Sequence, residues 1–170
     1  MTQTEIQNLK AKGLNVGNGC SFISPGPNFG SEPYLITIGD NTTVSFDVAF
    51  VTHDAGTRVL RNLATNEKEK QTVIYGEIKV GKNCFIGCRS TILPGVTIGD
   101  NVIIGAGSVV NRDIPANHVA AGVPCKVICT LDEYKEKHKD DFLYMVNLPY
   151  EEKKSFLLKL FKNGGKNGRA

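Results

Sequence analysis

The sequence predicts an all-β core built as a β-helix, and three observations lead there. Residues 80–115 read in sixes, VGKNCF, IGCRST, ILPGVT, IGDNVI, IGAGSV and VNRDIP, and every block opens on an aliphatic residue: Val80, Ile86, Ile92, Ile98, Ile104 and Val110. Glycine follows that residue at Gly81, Gly87, Gly99 and Gly105. The same phase recurs upstream, at Val16 and Phe22 and again at Ile38, Val44 and Phe50. A helix drifts out of register with a period of six, and a plain strand explains a period of two but not a recurrence at six. Six residues per side suit a three-sided coil whose aliphatic residues point into a triangular prism and whose coils stack. The adjoining glycine is expected to allow a tight turn at positive φ.

The elements follow in order within one domain, 1–170. Residues 1–13 hold a short helix, with Ile6 and Leu9 on one face and Gly13 stopping it. The β-helix occupies 14–129, with loops at 25–37 and 56–73. The first loop is marked by Pro25, Pro27 and Pro33 and breaks the phase. The second has no inward aliphatic where one is due, at Gly56, Asn62 and Lys68, and its length is a multiple of six, so Ile74 is expected to re-enter in phase. A loop thrown out from a corner is the preferred reading, and a polar extra coil the alternative. Long loops in compact domains are usually functional. Helices fill 130–162. Thr130 and Glu133 form a capping-box pattern for one running to about Met145. Pro149 opens another, whose Phe156, Leu157, Leu160 and Phe161 make an apolar stripe expected to pack on the prism or cap its open end. Residues 163–170 read as a flexible tail.

Composition narrows the function classes. A net charge of +3 is too mild to argue for a nucleic-acid partner. No apolar run approaches the roughly 20 residues of a membrane span, and the opening MTQTEIQNLK lacks the apolar run of a secretory signal, so a cytoplasmic location is expected. The 5 cysteines, odd in number and without paired knuckles, argue against a disulfide framework and against a zinc site.

The repeats, the run IGDNVIIGAG at 98–107 and the closing AGVPCKV at 121–127 resemble the hexapeptide-repeat acyltransferases, closest to the galactoside, maltose, xenobiotic and capsule-type O-acetyltransferases. The resemblance covers about residues 14–129. It implies a left-handed parallel β-helix, acetyl-CoA as co-substrate, no metal, and a homotrimer. It also implies transfer of an acetyl group to a hydroxyl, with a saccharide of a surface polysaccharide or its precursor as the first choice of acceptor. A xenobiotic of streptogramin or chloramphenicol type is the alternative.

Such a transfer needs a base to take the hydroxyl proton, and a base with a pKa near the working pH favours histidine. Of the 3 histidines, His138 lies in a lysine-rich helix and His118 in the closing coil, whereas His53 ends a coil side immediately before the long loop. By resemblance His53 matches the family's catalytic histidine. What orients it stays open: Asp54 is adjacent but on the other face of an extended segment, Asp47 lies on another side, and a backbone carbonyl is equally suited. By resemblance, Cys88 and Ala106 flank the reacting thioester and pantetheine arm, Asn111 and Arg112 match a Thr–Lys pair, and Lys126 meets the phosphates. On the acceptor side, Asn28 matches an acceptor-contacting Asn, and Asp54 and Arg58 are further candidates. Direct transfer is expected over a covalent Cys88 mechanism. A γ-type carbonic anhydrase is disfavoured because only His53 and His118 lie in coils. A non-enzymatic β-helix is disfavoured because flat ranks of Thr are missing.

Overall fold

The computed structural model describes residues 1–162, so the tail expected at 163–170 lies outside the described residues. The chain divides into two compact units, Met1–Leu131 and a second beginning at Asp132. The first unit is a three-sided parallel β-helix. Its first face stacks Asn15–Val16, Ile36–Ile38, Ile78–Val80 and Thr97–Ile98. The second face stacks Ser21–Phe22, Thr43–Val44, Phe85–Ile86, Ile103–Ile104 and His118–Ala121, and the third Ala49–Phe50, Thr91–Ile92 and Val109–Val110. We number the corners by the face they follow, and the six positions of a block from its aliphatic residue.

Position one points inward as expected, and Phe22, Ile38, Val44, Phe50, Val80, Ile86, Ile92, Ile98, Ile104 and Val110 are all buried. A second inward position, the fifth, went unread in the sequence because it alternates among Thr, Cys, Ser and Val. Its polar members bond to the next coil. Thr42 Oγ1 donates to the Gly81 carbonyl at 2.9 Å, Cys84 Sγ to that of Gly99 at 3.1 Å and Ser90 Oγ to that of Gly105 at 3.1 Å. Each buried hydroxyl or thiol thus has an acceptor, as buried polar groups require.

The glycines of position two carry a correction. Positive φ falls at position four instead, at Gly19, Asn41, Asp47, Asn83, Arg89, Gly95, Asn101 and Gly107, with φ between 53° and 82°. Position two is glycine for lack of space: a Cβ on Gly87 would stand 2.5 Å from the Ala106 nitrogen, and one on Gly99 2.5 Å from that of Ala116. At the first corner the position-four amides form a ladder, Asn83 Nδ2 to Asn101 Oδ1 at 2.8 Å and Asn101 Nδ2 to Asn117 Oδ1 at 2.9 Å.

The segment expected as the loop 25–37 continues the prism with one residue extra. Asn28 bridges to Ala49, and Phe29 takes the inward place one residue later than the period requires, stacked on Phe50 at 5.2 Å. The chain then leaves at the third corner through a 3₁₀ turn, Pro33–Leu35, before Ile36 rejoins the first face. The second excursion leaves from the same corner. It carries a helix, Thr57–Leu63, and its base is a short antiparallel ladder pairing His53 with Tyr75 and Asp54 with Ile74. Ile74 therefore does not re-enter the coil: it is 55% exposed, and the prism resumes at Ile78, paired with Ile36.

Helix α1 spans Gln3–Ala11 behind a Thr2/Glu5 capping box, with Ile6 and Leu9 half-buried against the core. The coil ends with a reversal: Lys126–Thr130 runs antiparallel to His118–Ala121 and covers that edge of the second face. Helix α2 is the Thr57–Leu63 helix of the excursion. Helix α3 spans Leu131–His138 and stops well short of Met145. A 3₁₀ turn, Lys139–Asp141, follows, where two aspartates meet the negative end of the helix dipole. In the second unit α4 spans Tyr150–Lys162, with the Pro149 carbonyl accepting from Lys153. No helix among the described residues is long and apolar enough to cross a membrane.

Candidate active site

The third corner gathers the chemistry. Residues at equal block positions stack there coil upon coil: Val51, Leu93 and Asn111 at position two, Thr52, Pro94 and Arg112 at position three, and His53, Gly95 and Asp113 at position four. The rungs are fixed by backbone bonds from Val51 N to the Ile92 carbonyl and from Leu93 N to that of Val110, both 2.9 Å. Both excursions leave this corner, so one coil contributes a broken turn with Glu32 and the next contributes His53.

His53, Asp54, Ile74, Leu93, Pro94 and Asn111 line a cleft of about 590 Å³ between the corner and the base of the second excursion. The His53 side chain is 36% exposed, its Nδ1 lies 2.9 Å from Glu32 Oε2, and its ring meets Tyr75 edge-on at 5.8 Å. Thr52 Oγ1 donates to the same Glu32 oxygen at 2.6 Å. Donation first from Thr52 and then from His53 holds the Glu32 carboxyl at about 2, far below its usual range. The other histidines are engaged elsewhere: His118 Nδ1 pairs with the Ala116 carbonyl at 2.8 Å, and His138 Nδ1 lies 3.3 Å from Asp141 Oδ2.

Among the sequence candidates, then, His53, Asp54 and Asn111 share the cleft, and Arg112 sits beside it at the same corner. The Asp54 carboxylate accepts from Gly56 N at 2.8 Å, which ties it to the start of the excursion. Cys88 and Ala106 stack at the second corner, where Gly107 N donates to the Cys88 carbonyl at 2.8 Å. Lys126, exposed, pairs with Ala121 near that corner. The candidates for the acetyl donor thus flank the two edges of the third face and do not meet within one chain. Asn28 is spent on its own turn, its Oδ1 accepting from Gly30 N at 2.9 Å, and Arg58 stands exposed on α2. Glu32 was missed. The one signal for it was that 25–37 contains a single acid, but a segment out of phase gives no register from which to project a neighbour. Among the described residues no group of His, Cys, Asp or Glu could hold a metal ion.

Comparison with known proteins follows the same outline. Residues 77–112 match the family model described as bacterial transferase hexapeptide (six repeats). The chain is 43% identical over 160 residues to protein CapG of Staphylococcus aureus, covering 94% of this chain and 90% of that one. It is 43% identical over 130 residues to galactoside O-acetyltransferase of Escherichia coli (strain K12), covering 74% of this chain but only 59% of that protein's length. The solved structure of a galactoside acetyltransferase in complex with coenzyme A superposes with a TM-score of 0.55 at 26% identity, covering 86% of this chain and 79% of that one. The fold shared with these proteins is the left-handed parallel β-helix.

Proposed function

We propose, since this chain belongs to the hexapeptide-repeat acetyltransferases, that it moves the acetyl group of acetyl-CoA directly to a hydroxyl of a saccharide, with His53 as general base. One observation supports this most: His53 stands on the wall of the cleft with its Nδ1 engaged by Glu32 and its other ring nitrogen unpartnered among the described residues, while the other two histidines lie outside it. In the step proposed, His53 takes the hydroxyl proton as the oxygen attacks the thioester carbonyl. The new C–O bond forms, the C–S bond breaks, and the proton passes to the departing thiolate. The galactoside relative supports a sugar acceptor, and a partly open, mixed polar and apolar cleft suits a pyranose.

Acetyl-CoA fits the two edges of the third face. Ala106, between Gly105 and Gly107, leaves the second corner bare enough for a pantetheine arm, and Lys126 and Arg112 are exposed cations suited to phosphates. Because these sets lie at different corners, a complete site joins the second corner of one copy to the third corner of another. Three copies close such a heterologous contact into a ring. We place the enzyme in the cytoplasm, where acetyl-CoA is made.

The test is acceptor-dependent release of the CoA thiol across a panel of saccharides. His53→Ala should lower kcat by about 10²–10⁴, the usual contribution of a general base, at an unchanged melting temperature. Acetyl transfer at the wild-type rate by that variant would overturn the assignment. An acetylated Cys88 that turns over into product would replace direct transfer with a covalent route.

A further inference from the structure

We propose that Glu32 and Thr52 are positioning residues that fix the tautomer of His53, holding its proton on Nδ1 and leaving the lone pair on Nε2. The inference rests on His53 being the base and concerns what makes it one. A neutral imidazole carries one N–H and one acceptor nitrogen, and which is which is set by the partner of the first. An ionised carboxylate only accepts, so a ring nitrogen 2.9 Å from Glu32 Oε2 must be the one bearing hydrogen. The carboxyl would have to be protonated to reverse that assignment, and at about 2 it stays ionised over any working range.

Thr52 makes the arrangement rigid. Its hydroxyl is buried, 2% exposed for the residue, and donates to the same oxygen at 2.6 Å, so the carboxylate is pinned from the coil that carries His53 itself. The Glu32 side chain is only 12% exposed, which keeps water from competing for that oxygen, whereas the His53 side chain at 36% stays open to a ligand. Among the described residues no other group competes for Nδ1: Asp54 is bound to Gly56 N, and Tyr75 presents its ring at 5.8 Å. The corner explains how a residue 21 positions away reaches the ring. Phe29 and Phe50 stack as successive inward residues, and counting on from each brings Glu32 and His53 to the same place in their turns. The extra residue before Phe29 and the short 3₁₀ turn after Glu32 therefore build the site. When the ring accepts a proton on Nε2, the carboxylate on the far side steadies the imidazolium that forms.

Long-range ¹H–¹⁵N NMR on protein labelled at its histidines reads the tautomer without any acceptor, with His53→Ala assigning the signal. The wild type should show the Nδ1–H form at neutral pH, and Glu32→Ala should shift it toward Nε2–H. In kinetics Glu32→Gln should lower kcat by about 10–10³, within the total a base contributes, while KM for acetyl-CoA stays within about twofold. Thr52→Val should cost about two- to tenfold in kcat, the worth of one hydrogen bond, and Thr52→Ser should restore it. A wild-type spectrum dominated by Nε2–H, or wild-type kcat in Glu32→Gln, overturns the proposal. Should Glu32 variants fail to fold, the wild-type spectrum and the Thr52 pair decide it. If His53→Ala keeps full transferase activity, the base assignment falls, while the tautomer measurement still decides the role of Glu32.

Discussion

Gly87 and Arg89 sit two residues apart in the second corner and ask different things of the backbone. Gly87 faces the backbone of the next coil, where a Cβ would stand 2.5 Å from a nitrogen that cannot yield without shifting a rung. Arg89 has open space but a φ of 57°, in the left-handed region where its block-mates are mostly Asn and Gly. Its partners, Asp47 at 3.9 Å and the Phe46 ring at 5.9 Å, are contacts of an exposed side chain and contribute little. Gly87→Ala should therefore destabilise the fold by about 1–3 kcal/mol, as overpacking does. Arg89→Asn should stabilise it by up to about 1 kcal/mol by removing a left-handed strain. Urea unfolding of both variants checks the pair, and an equal response at the two positions would show that the distinction between space and torsion is wrong.

At the scale of elements, the second excursion has a short ladder at its base, His53–Asp54 with Ile74–Tyr75, and its helix α2 leaves Val59, Leu60 and Leu63 exposed. Replacing 56–73 by a short Gly/Ser turn should leave the melting temperature of the prism nearly intact. It should lower acceptor turnover steeply while acetyl-CoA hydrolysis persists, which coupled thiol-release assays with and without acceptor would resolve. If the shortened protein loses assembly instead, the excursion is an interface element. The same element shows where sequence reading ran short. The six-residue period placed the prism's rungs from Ile38 to Phe50 and from Val80 onward, because position one is a large apolar residue in each of those blocks. It placed His53 at the right junction for the same reason. It could not find the return at Ile78, since Ile74 is apolar and at the expected interval yet is held in the ladder by Asp54. Nor could it find Phe29, displaced by one residue, and with it went Glu32. A period finds what repeats, and the residues that tune the site lie where repetition is interrupted.

The whole molecule works only as an assembly if donor and acceptor groups face each other from different copies. Sedimentation should give one species at three times 18.5 kDa at micromolar concentration, and a fully active monomer would exclude the shared site. The excursion that shapes the cleft has a further effect, on how quickly the chain finds its fold. Rungs among the coils from Ile78 onward join residues 16 or 18 apart, as Lys82 to Asp100, but the joint across the excursion spans 42, as Thr42 to Cys84. Closing the longer segment costs about 0.7 kcal/mol more in chain entropy, and it does so at the one seam between the coil ending at Phe50 and the coils from Ile78 onward. The later coils, all locally connected, are set to form first and template the earlier ones, so the seam is the slow step. In stopped-flow refolding the shortened chain should fold faster, by about twofold, with pulse-labelled amides of 80–115 protected ahead of those of 36–50 in the intact protein. On that expectation, lengthening the excursion to reshape the cleft slows the joining of the coils on either side of the seam, though only with the logarithm of its length.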